Sequence, residues 1–353
     1  MRILAIINWK IRHLDYIPDN IQPSDFDCPE VPFWFFKYFN NRPDVDVIDI
    51  NCPKIFEIIE NKLRFHIYQT FKALASINKY DLVLVHGSNS AMLLCALKRI
   101  FKFKTPPILD VDISSFHQAK TSGLMFHLSR FASREFDYMV YHASSQDGYY
   151  RKYYPWLANR SRFIPVGVDF NYWESKNYTR SNSSEPYYIS VGYRKRDWDT
   201  LINAFNNADV SEKLYLVGNP NIKVTNPNIK VLPFLPIDKL MNYIVNSKAS
   251  IIPLDNFNYS FGQLTLLQQM AVATPIIAAN VPAIFDYIDN SSGVVKYRPY
   301  DSDDLCKKIR FMSSCDEDEL ISFGRSNQLM IKNVFSEKNM ALAFEEICNM
   351  LIS

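Results

Sequence analysis

The sequence has few glycines and lacks the glycine-rich motifs that bind phosphates in several large enzyme classes. Only 9 of its 353 residues are glycine. Neither the dinucleotide fingerprint GxGxxG nor a P-loop occurs, which disfavours dehydrogenases and kinases that depend on those motifs. A phosphate-containing ligand would therefore need a phosphate-binding site of a different kind.

Paired cysteines and long apolar runs are missing as well. The six cysteines are scattered, with no CxxC spacing and no accompanying histidine run, so the sequence predicts reduced thiols and no zinc site. No apolar run reaches the length of about 18 residues that a membrane-spanning helix needs. We expect a cytoplasmic protein whose contact with the inner face of a membrane, where there is one, is peripheral.

The chain also lacks a strong net charge. Its 39 basic and 37 acidic residues give a formal charge of +2, which argues against nucleic acid as a partner. With 48% hydrophobic and 22% charged residues, the composition is that of a globular protein with two cores. A local basic cluster, typical of a solvated helix end, comprises Lys98, Arg99, Lys102 and Lys104.

Apolar, β-rich runs alternate with helical stretches in both halves of the chain, which predicts parallel sheets covered by helices. We expect an α/β protein with a Rossmann-like domain at 1–165 and a second one at 166–335, and the last helix, 336–353, packing back on the first. In such doubly wound domains, ligands bind beyond the carboxyl ends of the strands, here in a cleft between two facing domains. Among the elements we expect are single helices over 33–39 and 55–77 and a strand over 163–166.

The most informative stretch is Asn258–Ala278. Gly262 stands where a strand has ended and a helix begins, so the N–H groups of Gln263–Thr265 and the positive end of the helix dipole are suited to a diphosphate. Gln268 lies about one turn further on, within reach of ribose hydroxyls.

This stretch resembles the donor-binding signature of the retaining glycosyltransferases of the two-Rossmann-domain type (GT-B), the family 4 group. The matching run is Gly262-Gln263-Leu264-Thr265-Leu266-Leu267-Gln268-Gln269-Met270-Ala271, followed by Ala273-Thr274-Pro275-Ile276-Ile277. Phe163–Asp169 resembles the segment that leads into the second domain of that family. Tyr187–Phe205 resembles its strand, loop and helix that contact the donor diphosphate.

The resemblance implies that a nucleotide sugar binds mainly to the second domain. The implied donor-binding residues are Gly192, Arg194, Lys195, Arg196, Phe234, Gly262, Gln263, Leu264, Thr265 and Gln268. Arg196 is also a catalytic candidate, because a fixed guanidinium stabilises the charge that develops on a leaving diphosphate. Two positions depart from the family pattern: Gln268 replaces the acid that usually holds the ribose, and Tyr193 stands where an arginine is usual.

Candidates in the first domain follow its strands. His86, Ser88 and Asp110 are expected to contact the acceptor, and Asp112 and His117 are catalytic candidates. We interpret Asp110-Val111-Asp112 as polar lining of the cleft and expect neither a metal nor another cofactor. The segment Phe33–Phe36 either contacts a lipid or lipid-linked acceptor or is a buried helix face.

Together these features predict a hexosyltransferase of polysaccharide biosynthesis that uses a UDP- or GDP-linked sugar. The resemblance implies retention at the anomeric carbon and a glycan or lipid-linked glycan as acceptor. Two alternatives stay open. An inverting transferase or epimerase on the same fold would use Asp112 or His117 as a general base, and the replacement at Gln268 allows a catalytically silent nucleotide-sugar-binding protein.

Overall fold

The computed structural model describes residues 1–63, 65–118, 121–178, 180, 185–218 and 221–353, without the side chains of residues 63, 117 and 118. The chain divides into two compact units. Unit 1 comprises Met1–Pro165 together with Glu337–Ser353, and unit 2 comprises Val166–Ser336.

Unit 1 is built on a parallel sheet of six strands in the order β4-β1-β5-β6-β7-β8. Its inner strands are buried on both faces, as parallel strands between two helix layers must be; Ile3–Ile7 of the first strand are at most 1% exposed. The strands, including the small pair β2 and β3, are β1 (Arg2–Ile7), β2 (Arg12–His13), β3 (Phe26–Asp27), β4 (Asp44–Ile48), β5 (Leu82–His86), β6 (Ile108–Asp112), β7 (Tyr138–Tyr141) and β8 (Ser161–Phe163).

The helices of unit 1 that precede its boundary are α1 (Lys54–Leu63), α2 (Ile67–Ser76), α3 (Asn89–Phe101), α4 (Ser115–Gln118), α5 (Leu124–Ala132) and α6 (Asp147–Tyr153). Helices α2, α3 and α5 lie side by side on one face of the sheet.

Three boundaries in unit 1 differ from the sequence prediction. The expected helix over 55–77 is two helices, because His66 has non-helical backbone angles (φ −87°, ψ 78°). The segment 33–39 forms a 3₁₀ helix, Trp34–Tyr38. Strand β8 ends at Phe163 because Pro165 has no N–H to continue the ladder.

Unit 2 repeats this architecture, with a parallel six-stranded sheet in the order β11-β10-β9-β12-β13-β14. Its strands are β9 (Tyr187–Val191), β10 (Lys213–Val217), β11 (Ile229–Leu232), β12 (Ala249–Ile252), β13 (Ile276–Ala279) and β14 (Val294–Tyr297). Its helices are α7 (Phe170–Ser175), α8 (Trp198–Ala208), α9 (Ile237–Val245), α10 (Gln263–Ala271), α11 (Phe285–Ile288), α12 (Ser302–Ser314) and α13 (Glu317–Asn333).

Acidic side chains cap several of these helices. Asp197 accepts a hydrogen bond from the backbone N–H of Thr200 and so begins α8. Asp316 and Glu319 form a reciprocal capping box at the start of α13, which satisfies N–H groups that a helix start leaves without an intrahelical partner.

The last helix, α14 (Glu337–Ile352), belongs to unit 1. Its Glu345 carboxylate accepts hydrogen bonds from the backbone N–H groups of Asn40 and Asn41. Phe344 packs on Phe35 with ring centroids 5.1 Å apart. These contacts tie the end of the chain to the 3₁₀ helix near its beginning. Among the described residues, no helix has both the length and the apolar character needed to cross a membrane.

Candidate functional site

The loop that follows β9 holds an arginine against a glycine. Gly192 has φ +140°, and a Cβ on it would lie 2.6 Å from the Nε atom of Arg196. Gly218, after the neighbouring strand β10, has φ +115°, and a Cβ there would lie 2.7 Å from the carbonyl oxygen of Gly192. Two adjacent strand ends therefore need glycine so that the backbone and the guanidinium can pack this closely.

The Arg196 guanidinium is fixed by its own loop. Its Nε atom donates to the carbonyl oxygen of Val191 at 3.1 Å, and Nη1 donates to that of Arg194 at 3.2 Å. Burial lowers the pKa of Arg196 to about 10, while the nearby charge of Asp255 opposes that shift. Arg196 therefore stays charged at neutral pH. The other guanidinium hydrogens have no hydrogen-bond partner in the part of the chain that the structure describes.

Leu254 connects this loop to the start of α10. Its backbone forms an antiparallel bridge with Arg196, and its side chain lies 3.0 Å from the place that a Cβ on Gly262 would occupy. Gly262 itself has φ +87°, a conformation that disfavours other residues. The structure thus brings together the two parts of the predicted donor site, the Arg196 loop and the beginning of α10.

The N-terminus of α10 carries no side-chain cap. Gln263 is only 3% exposed, because its amide donates to the carbonyl oxygen of Ala283 at 2.7 Å and accepts from Ser260. Its side chain anchors the helix, so any contact of Gln263 with a ligand comes from the backbone N–H. Leu264 is 51% exposed, whereas Thr265 and Gln268 are half-buried.

The remaining donor candidates lie on exposed loops. Tyr193, Arg194 and Lys195 are exposed, and the Arg194 guanidinium lies 5.3 Å from the centroid of the Tyr193 ring. Phe234 follows β11 and is 75% exposed. Strand β10 lies between β11 and β9, so Phe234 follows a different strand from the Arg196 loop. This separation is compatible with Phe234 contacting a different part of a nucleotide.

In unit 1, Asp110 and Asp112 form a buried pair with no exposed surface. The Ser88 hydroxyl lies 2.7 Å from Asp110 and 3.3 Å from Asp112. Asp112 also accepts from the Tyr150 hydroxyl and from the N–H groups of Ser114 and Ser115. Burial raises the pKa of both carboxyls, and that of Asp110 lies well above its usual value through burial first and through the nearby Asp112 second.

The interpretation of this pair as polar lining is therefore wrong, since strand β6 is covered on both faces. Both oxygens of Asp112 already accept hydrogen bonds from the protein. His117 belongs by its backbone to α4, but its side chain lies outside the described residues. Within the described residues, no group of three or more histidine, cysteine or acidic side chains could hold a metal ion.

His86 stands at the carboxyl end of β5, among aromatic rings. Its ring centroid is 5.0 Å from that of Trp9 and 5.1 Å from that of Trp34, and the planes of the two tryptophans are nearly perpendicular. Burial lowers the pKa of His86 to about 3, so the ring is neutral, and its Nδ1 atom has no hydrogen-bond partner in the described part of the chain.

Trp34 has φ +49°, which is strained for a bulky residue. Its neighbours Phe33, Phe35 and Phe36 are at most 2% exposed, so these three rings form a buried face, whereas Trp34 is half-buried. Trp9, Gly218 and Leu254 were not among the predicted site residues. Trp9, two residues after β1, and Gly218, directly after β10, were signals that the sequence offered, whereas no local sequence feature indicated Leu254.

Comparison with known proteins places the chain in a class. The whole chain has the two-domain fold of the GT-B glycosyltransferases. It is similar to a glycosyltransferase from Rickettsia africae (16% identity, 100% of this chain and 98% of that one, TM-score 0.71). It is also similar to sucrose-phosphate synthase from Thermosynechococcus elongatus (16% identity, 99% of each chain, TM-score 0.68). A third similar structure is Anabaena HepE in complex with UDP and glucose (12% identity, 99% of this chain and 100% of that one, TM-score 0.69).

The sequence match is narrower and lies in unit 2. Residues 186–314 match the family described as "Glycosyl transferases group 1", and this range contains the Arg196 loop and the beginning of α10. A search of curated proteins gave no match. The coarser part of the resemblance is confirmed: this domain match and the GT-B fold support a glycosyltransferase, whereas the family 4 group and retention stay predictions.

Proposed function

We propose that the chain transfers a hexose from a UDP- or GDP-linked sugar to a glycan or lipid-linked glycan, without a metal ion and with retention at the anomeric carbon. The observation that carries this proposal is the charged Arg196 guanidinium, held against Gly192 and linked through Leu254 to the uncapped start of α10. HepE, whose fold is similar, was crystallised with UDP and glucose, which supports a nucleotide sugar as the donor.

The chemistry requires stabilisation of a leaving diphosphate. Negative charge grows on that group as its bond to the sugar breaks. Arg196 and the positive end of the α10 dipole are suited to meet this charge without reorganisation, because two backbone carbonyls already fix the guanidinium. Arg194 and Lys195 are exposed on the same loop and add positive charge around the phosphates.

We place the acceptor at the carboxyl ends of β1 and β5 in unit 1. Trp9 and Trp34 are half-buried and offer aromatic surface for a sugar ring beside the neutral His86 ring. A ring with a pKa of about 3 is a poor general base. Proton removal from the acceptor is therefore assigned to the leaving phosphate, in keeping with retention.

The inverting alternative needs a general base in unit 1. Asp112 is disfavoured in that role because both of its oxygens accept hydrogen bonds from the protein. The silent alternative is supported only by Gln268, a half-buried amide at the position where the resembled family has an acid.

The test is transfer from a panel of UDP- and GDP-hexoses to an extracted lipid-linked glycan, with the anomeric configuration of the product assigned by NMR. We expect a product that keeps the donor configuration. An inverted product would contradict retention. Nucleotide binding with neither transfer nor donor hydrolysis would contradict the enzymatic proposal and favour the silent protein.

A further inference from the structure

The ends of α3 and α5 form an exposed surface that combines apolar and basic side chains. We call it the basic apolar surface and define it by Ile100, Phe101, Lys102, Lys104, Phe131 and Arg134. Ile100 is 58% exposed, Phe101 70% and Phe131 38%, and the three basic residues are exposed as well. The two helices pack against each other, so the residues share one side of unit 1.

The helices α3 and α5 that carry this surface are in direct contact. The Arg99 guanidinium lies 5.1 Å from the centroid of the Phe131 ring, which joins the end of α3 to α5. Helix α3 ends at Phe101, and the next residue, Lys102, has φ +54° and turns the chain away. Beside it lies a shallow depression of about 470 Å³ lined by Lys98, Arg99, Lys102, Phe103, Phe131 and Glu135.

Positive charge dominates here. Glu135 pairs with both Lys98 and Arg99, so these three residues keep one excess positive charge. Lys102, Lys104 and Arg134 have no ion pair in the part of the chain that the structure describes. The surface and its depression thus carry an excess of four positive charges, although the whole chain has a formal charge of only +2.

We propose that the basic apolar surface docks on an anionic phospholipid bilayer. Exposed Ile and Phe gain free energy by leaving water for the boundary between headgroups and acyl chains, while nearby Lys and Arg are attracted to anionic headgroups. An acidic soluble partner would use the cations but leave the most exposed ring, Phe101, in water. The basic apolar surface is then the place where the protein contacts the membrane that contains a lipid-linked acceptor. This proposal rests only on the part of the proposed function that makes the acceptor lipid-linked.

The test is co-sedimentation of the full chain with phosphatidylcholine vesicles that contain or lack phosphatidylglycerol. We expect binding only to the anionic vesicles, and weaker binding as salt is added. The double variant Lys102→Ala/Lys104→Ala should bind them about 25-fold more weakly, at about fivefold for each lysine. Phe101→Ala should reduce the binding that persists at high salt.

A matched control lies on α1, where Ile58 is 73% exposed and Lys62 is exposed. The variant Ile58→Ala/Lys62→Ala removes the same kinds of side chain from unit 1, outside the proposed surface, and should bind vesicles like wild type. Calorimetric titration of UDP and GDP measures donor binding separately, so its loss tests the donor site and not the membrane proposal. A wild-type chain that stays in the supernatant with both vesicle types, or equal losses in both double variants, would overturn the proposal.

Discussion

Replacing Arg196 with alanine removes a cation that two backbone carbonyls hold in place at the proposed diphosphate site. The guanidinium uses Nε and one Nη1 hydrogen for backbone carbonyls, which leaves its other hydrogens for phosphate oxygens. A hydrogen bond to a charged group contributes about 1.5–3 kcal/mol. We therefore expect the Kd for the preferred nucleotide sugar to rise about tenfold to 150-fold, measured by isothermal titration calorimetry.

Two further variants separate charge, geometry and folding. Arg196→Lys keeps the charge but loses the planar fork, so its Kd should fall between those of wild type and Arg196→Ala. Lys307→Ala removes an exposed cation from α12 in the same unit and should leave the Kd unchanged. Arg196→Ala also loses two hydrogen bonds to backbone, at about 1 kcal/mol each, which a thermal unfolding scan detects. A folded Arg196→Ala protein with wild-type affinity would refute the assignment of the diphosphate to this loop.

Three other changes have distinct expected results. Gly192→Ala places a methyl group where the Arg196 guanidinium lies, so it should weaken nucleotide binding in calorimetry much as Arg196→Ala does; wild-type affinity would show that the close packing is unimportant. Burial raises the pKa of Asp110 above 3.8 in the folded protein, so the native state holds a proton that the unfolded chain has released and stability falls as the pH rises above 3.8. Asp110→Asn should escape this fall, and in chemical denaturation its advantage over wild type should grow with pH; a constant difference would contradict the raised pKa. His86→Phe should lower kcat/KM for the acceptor while the donor Kd stays the same, and an equal loss in both would place His86 outside the acceptor site.

The fold was predictable wherever the hydrophobic pattern is local. The strands of both sheets stand out as short apolar runs because parallel strands are buried on both faces. The break between α1 and α2 was not predictable, because it depends on the backbone of His66 and not on an interruption of the apolar pattern. The 3₁₀ helix at Trp34 likewise depends on distant packing, including the contact of Phe35 with Phe344.

The candidate site was predictable only in part, for a similar reason. Gly262 and the arginines after β9 occur in recognisable order along the sequence, so their suitability for binding a diphosphate could be predicted. The link through Leu254 joins segments that only folding brings together. The burial of Asp110 and Asp112 was missed because their hydrogen-bond partners Ser88 and Tyr150 come from other parts of the chain.

We propose that unit 2 binds the diphosphate of a nucleotide sugar at the Arg196 loop and the start of α10. Calorimetric titration of the full chain with UDP-, GDP- and ADP-hexoses tests it most directly. We expect saturable binding of one ligand per chain for a UDP- or GDP-hexose, and much weaker binding of the same ligand to Arg196→Ala. Absence of binding for every nucleotide sugar in the panel would contradict it.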